Sequence, residues 1–218
     1  MKHALSLFFL LISLYVAGQG SVVLNNQPFQ IDRKPDSAVL GQLERQVGFG
    51  SMHPRGKEML YWINILRRNP PAFKDRYVRP FLQQFPEANS PEAKSLASDL
   101  DNTLSLSDLS FNPLLQPHAQ DHADFLAQKG AITHTGRGGK SFQMRMLAAG
   151  VETCAGENLF DGQDDALMAL ILLLIDKGVP GAGHRQALLN PQFNKIAVGI
   201  SFFDQNRMVV VQQFSCGG

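Results

Sequence analysis

Six histidines are spread through 218 residues, and their neighbours decide which of them could do chemistry. His118-Ala119-Gln120-Asp121-His122 sets two imidazoles four residues apart on one helix face, the spacing of a two-histidine metal pair. A zinc-protease helix would carry Glu directly after the first His as general base, and here that place is Ala119 in an apolar stripe. The pair therefore reads as two exposed or helix-capping histidines. Three other patches put a histidine or an acid beside glycine or a turn. They are Ile132-Thr133-His134-Thr135, then Ala155-Gly156-Glu157-Asn158-Leu159, then the run from Leu174 through Asp176 to His184-Arg185. Two histidines and two carboxylates can hold a divalent cation, with imidazole nitrogens as ligands and the acids behind them or acting as general base. Spacing alone leaves structural roles open. His134 could cap the helix before it, Glu157 could pair with Arg185, and Asp176 could complete a turn.

Other chemistries lack their signatures. No serine sits in a Gly-x-Ser-x-Gly elbow. Gly136-Arg137-Gly138-Gly139 lacks both the preceding strand and the Lys-Ser/Thr of a phosphate loop. Cys154 and Cys216 are an even count, compatible with a disulfide or with two free thiols. Nothing marks a base beside Cys154, and Cys216 lies two residues from the chain end, so neither reads as a nucleophile.

The elements that must position these residues follow from periodicity. Met59, Leu60, Ile63 and Leu66 form a helical stripe over 53–66, which Asn69-Pro70-Pro71 stops or kinks. Residues 72–85 read as a shorter helix, and 86–110 as a loop with some helix. Asn112-Pro113 opens a helix whose stripe is Leu115, Ala119, Ala123 and Leu126, ending at Gly130. A short helix is expected over 141–148, a strand over 153–160 and an apolar helix over 164–175, too short to span a bilayer. Residues 195–203 and 207–214 read as a hairpin turning at Asp204-Gln205-Asn206. Helices thus precede and interleave with a small antiparallel sheet, an α+β pattern.

In this order, the patches resemble the CAP superfamily (cysteine-rich secretory, antigen 5 and pathogenesis-related-1 proteins), also called SCP-like domains. The resemblance begins at Tyr61-Trp62-Ile63-Asn64-Ile65-Leu66-Arg67, similar to that family's opening helix. It runs through Asn112-Pro113-Leu114, His134, Gly156-Glu157-Asn158 and Gly183-His184-Arg185 to Val211-Gln212-Gln213-Phe214. It implies an α-β-α sandwich with a small central antiparallel sheet and a cleft bearing two histidines and two acids. Carried over, the metal-binding histidines are His134 and His184, and the acids are Glu157 and Asp176. Asp176 stands where animal members have Glu in a Trp-Tyr-x-Glu stretch; this chain has Leu173-Leu174-Ile175-Asp176 there and no Trp. Asn158 and Arg185 are candidate ligand contacts. Implied companions are zinc or another divalent cation (calcium, magnesium) and an unidentified ligand such as a lipid, sterol, peptide or envelope component.

The N-terminus supplies an address. Met1-Lys2-His3 is a basic start, Ala4–Ala17 is largely apolar, and Val16-Ala17-Gly18 is a small-residue exit, the three parts of a secretory signal. The expected division is a signal over 1–18, an N-terminal arm or linker over 19–50 and a CAP (SCP-like) domain over 51–218, with no membrane span left after cleavage. Removing 1–18 takes away Lys2 and no acid, so 20 Lys+Arg become 19 against 19 Asp+Glu. That balance argues against a nucleic-acid partner, and Arg67-Arg68 and Arg76–Arg79 read as solvated charges. The place of work is outside the cytoplasm, either secreted or periplasmic at the cell envelope. Two functional readings follow: a binding module whose cleft takes a cation and a ligand, or a metal-dependent hydrolase with Glu157 as general base. A structural envelope protein with a vestigial cleft is a third.

Overall fold

The structure, a computed structural model, describes residues 24–25 and 27–216. The signal expected over 1–18 lies outside them. Among the described residues, no single helix is long and apolar enough to cross a membrane.

The N-terminal third is helical. Asp36 caps α1 (Ser37–Glu44), and His53 caps α2 (Pro54–Arg68) through its ring nitrogen. Asn69 ends α2 and at once caps α3 (Pro70–Phe73), which continues through a π turn over 74–78 into α4 (Arg79–Gln84). Ser90 opens α5 (Pro91–Asn102), where Ala93, Leu96 and Leu100 are buried. That helix occupies much of the stretch read as loop. Its serines and acids blur a stripe that the Ser-Pro-Glu start would otherwise announce.

Residues 27–50 are not a loose arm. Phe29, Val39, Leu43 and Phe49 join the main core, with Phe29 edge-on to Phe81 and Phe85. The segment is anchored by polar contacts with no periodicity to read: Gln84 Nε2 donates to Pro28 O, Arg33 pairs with Asp165, and the Asp36 N–H donates to Tyr61 Oη.

The sheet has the order β1-β3-β4-β2: β1 (Ser110–Phe111), β2 (Ala155–Gln163), β3 (Lys195–Asp204) and β4 (Arg207–Ser215). Its three long strands are antiparallel as expected, while two-residue β1 adds parallel to β3. Helix α6 (Gln116–Lys129) packs on one face over Ala197, Val209, Val211 and Leu159, joined by Met146 of α7 (Phe142–Ala148). The other face, with Ile196, Val198, Ile200, Val210 and Phe214, packs against α2, α5 and α8 (Ala166–Ile175). The short α9 (Gly183–Leu188) follows α8. A helix–sheet–helix sandwich results. α6 begins three residues later than Asn112-Pro113 suggested, because Asn112 Oδ1 accepts from the Leu114 and Leu115 N–H groups and forms a turn first.

Two side chains of α2 lock the layers. Asn64 exchanges two hydrogen bonds with the Leu109 backbone, fixing the approach to β1. Arg67 is not solvated but fully buried. It donates to the carbonyls of Ser107, Leu188, Asn190 and Phe193, joining the segment before β1 and the α9–β3 connection to one guanidinium. Burial lowers its pKa, which nearby Asp108 opposes. The Arg67→Met variant strands four carbonyls, and its urea midpoint should report a loss of more than about 3 kcal/mol. Arg67→Lys, a point charge without the planar fork, should restore only part of it.

Candidate functional site

His184 is placed by the end of α8. Asp165 caps the N-terminus of this wholly apolar helix, and it stops at Asp176, whose backbone is left-handed (φ 58°). Arg185 holds that end. Its five N–H groups donate to Leu174 O, Ile175 O, Glu92 O, Ser95 Oγ and Asp99 Oδ2, and the residue is 3% exposed. Asp176 then turns both oxygens to one residue: Oδ2 accepts from the His184 N–H at 2.9 Å and Oδ1 from Nδ1 at 2.7 Å. The side chain one methylene shorter than Glu reaches because its αL backbone directs it at the start of α9. From the sheet, Asn158 Nδ2 donates to His184 O and to Gln212 Oε1.

His134 is placed by the turn after α6. Gly130 ends that helix in αL, and His122 Nε2 lies 3.1 Å from Thr133 O, so its N–H donates there and fixes the loop. His134 Nδ1 is 2.9 Å from Glu157 Oε1. Glu157 also accepts two hydrogen bonds from Arg145, each 2.7 Å, and one from Gln213 Nε2 at 2.9 Å, while Arg145 donates to His134 O. Four donors thus surround a carboxylate whose side chain is 1% exposed. Burial alone would raise its pKa. The bonds from His134, Arg145 and Gln213 and the Arg145 charge overcome that and bring it to about 2.

Each acid lies against Nδ1 of its ring, so the neutral tautomer that this contact favours carries its proton on Nδ1 and its lone pair on Nε2. Neither Nε2 has a hydrogen-bond partner among the described residues, and the rings are 48% (His134) and 21% (His184) exposed against 1% for each acid. The two pairs sit on opposite faces of β2. Glu157 shares the α6 face with Leu159 and Gln213, whereas Asn158, on the other face, reaches the His184 carbonyl. Among the described residues no three His, Cys, Asp or Glu side chains form a ready metal-ligand group. Cys154 and Cys216 are joined in a disulfide that ties the start of β2 to the end of β4. A groove of about 520 Å³ between α5 and α9 is lined by Arg185 and Gln186 but by neither histidine.

Several sequence expectations change. Arg185 and Asn158, expected as ligand contacts, are engaged within the fold: the donors of Arg185 all have protein acceptors, and buried Asn158 holds α9 to the sheet. Glu157 pairs with Arg145, not Arg185. His122 is neither exposed nor a cap; it is buried 3.9 Å from Glu157. Arg145, Gln213 and His122 were missed as site residues. Only the strand parity of Gln213 with Val209 and Val211, opposite Glu157, was a usable signal.

The cysteine-rich secretory protein (CAP) family profile matches residues 61–214. Similar solved structures include an extracellular protein containing an SCP domain from Bacillus anthracis, with 19% identity and TM-score 0.42 over 59% of this chain. This chain covers 44% of that protein's length. An outer surface protein of Borrelia burgdorferi has 22% identity and TM-score 0.44, covering 57% of this chain and 86% of the other. NaASP2 with Zn2+ has 17% identity and TM-score 0.45, covering 77% and 82%. No curated protein matches the chain.

Two outcomes follow from the Glu157 cage. Its folded pKa lies below the unfolded value, so its stabilisation is complete above pH 4.5 and is lost as pH falls towards 2. That shift corresponds to about 3 kcal/mol, so urea unfolding at several pH values should show a steep acid limb that Glu157→Gln flattens. A Cβ on Gly136 would lie 2.8 Å from Arg145 Cδ and 3.0 Å from Nε. Gly136→Ala should therefore cost about 1–3 kcal/mol in the same assay.

Proposed function

The chain belongs to the cysteine-rich secretory protein (CAP) family, and from that premise we propose that it is an exported binding module whose His134/His184 cleft takes a divalent cation together with a further ligand. One observation carries this reading: each imidazole has its Nδ1 proton held by a buried carboxylate and its Nε2 lone pair unengaged. That is how proteins present histidine to a metal, with the acid behind the ring fixing its tautomer and raising its basicity. His134 and His184 would be the ligands, and Glu157 and Asp176 would orient them. Neutral imidazoles suit zinc better than calcium or magnesium, which favour oxygen. Two protein nitrogens leave the remaining positions to water or to the ligand. Bound there, zinc would supply a Lewis acid at the mouth of the cleft.

Glu157 is poorly suited to be the general base of a hydrolase. With four donors and a pKa of about 2, it has little affinity for a substrate proton near neutral pH. The Cys154–Cys216 disulfide agrees with an oxidising, extracytoplasmic setting, secreted or at the cell envelope.

Zinc titration by calorimetry tests the reading. The wild-type chain should bind, and His134→Ala and His184→Ala should each lose most of that affinity. Asp176→Asn should weaken it by about 10–100-fold with the fold intact, the usual effect of removing the acid behind a ligating histidine. Undiminished zinc binding in both alanine variants would overturn the assignment.

A further inference from the structure

We propose that the outer edge of β2 binds an extended peptide by strand addition, between the two histidine loops. The inference rests on the binding-module reading and names the class of ligand. It comes from how differently the two edges of the sheet are finished.

The β3 edge is closed. Asn112 N–H donates to Ile196 O, in register with β1. Beyond β1, two glutamines of α6 act as a substitute strand. Gln116 accepts from Val198 N–H and donates to Val198 O, and Gln120 does the same at Ile200. Gly199 permits this, since a Cβ there would lie 2.1 Å from Ala119 O. Every second residue of β3 from 196 to 200 thus has an outward partner.

Among the described residues, no strand or helix pairs with the outer edge of β2. Cys216 N–H donates to Cys154 O, and the register Ala155↔Ser215 places those two residues opposite each other. In an antiparallel ladder, bonded and non-bonded pairs alternate. Residues 156, 158, 160 and 162 therefore turn their main-chain groups to β4, and 155, 157, 159 and 161 turn theirs away from it. No hydrogen bond from the described residues reaches the outward groups of Ala155, Glu157, Leu159 or Asp161. At Glu157 the side chain is 1% exposed while the residue as a whole is partly exposed, so solvent meets its main chain.

A strand edge of this kind is a template for another extended chain. Here it lies where the His134 and His184 loops flank it on either face, and the Cys154–Cys216 disulfide pins its start. The unmet groups are amide donors and acceptors in strand register. A peptide backbone matches that chemistry, whereas a lipid chain leaves it unsatisfied.

Amide exchange read by NMR tests this, with a soluble ten-residue peptide of alternating threonine and valine flanked by lysines as probe. At saturating peptide, the Glu157 and Asp161 amides should exchange at least about tenfold more slowly. The same peptide methylated at every backbone nitrogen should leave them unchanged. Asp161→Pro removes the outward N–H together with the ion pair to Arg207, so it is read against Asp161→Ala, which loses the ion pair alone; relative to that control it should keep the fold and weaken binding by about tenfold or more. Exchange unaffected by millimolar peptide would overturn the proposal. So would edge amides already slow before any peptide is added, the edge then being covered by the chain itself or by a second copy. Zinc uptake by the same samples reads the metal site separately: zinc binding without peptide protection overturns strand addition alone, and the reverse overturns the metal assignment alone.

Discussion

A buried carboxylate that must stay charged dictates the construction around Glu157. Taking such a group out of water is tolerable only when its lone pairs are met by strong donors. Arg145 meets two of them in a fork, Gln213 a third and His134 the fourth. Each donor then needs its own support. Arg145 lies against Gly136, where a Cβ would press on its Cδ and Nε, and it also holds the His134 carbonyl. His122 holds the neighbouring carbonyl of Thr133. The loop carrying His134 is therefore fixed by the requirements of an acid on the sheet.

The other half of the site follows from a second rule: a buried guanidinium without a buried acid takes carbonyls. Arg185 is 3% exposed, and its acid partner Asp99 has a side chain that is 52% exposed. Three of its five donors go to main-chain oxygens, two of them the last carbonyls of α8. Helix ends leave such carbonyls unsatisfied, and a cation there also suits the helix dipole. With the end secured, Asp176 can occupy αL without being glycine, at a cost of about 1 kcal/mol that its two bonds to His184 offset. Arg67 applies the same rule at the far end of the core, with four carbonyls and no acid in direct contact.

These rules explain what the sequence disclosed. Elements built on apolar repeats were legible: the α2 and α6 stripes, the apolar run of α8 and the β3–β4 hairpin all stand close to their expected bounds. Glycine and turn residues around the two histidines and two acids singled them out as candidates, but the local pattern left capping, ion-pair and turn roles open, and only the family resemblance grouped the four. Their partners were not legible. Arg145 lies 12 residues from Glu157 on another element, and no periodicity relates them. Arg67 and Arg185 have the composition of surface residues, and only the placement of distant carbonyls makes them internal. The 27–50 segment was misjudged for the same reason, since Phe29 finds Phe81 and Phe85 through the fold and not through a local pattern.

Strand order decides how these separate supports stand to one another. Side chains of successive strand residues point to opposite faces, so Glu157 and Asn158 look into different layers. In a central strand, such neighbours would be kept apart by the sheet itself. β2 is an edge strand, and from its open side both faces are accessible at one point along the chain. A histidine held through Glu157 on one face and a histidine held through Asn158 and Asp176 on the other can therefore border the same opening. At the opposite edge, Gln116 and Gln120 of α6 meet the outward main-chain groups of Val198 and Ile200 and close the ladder.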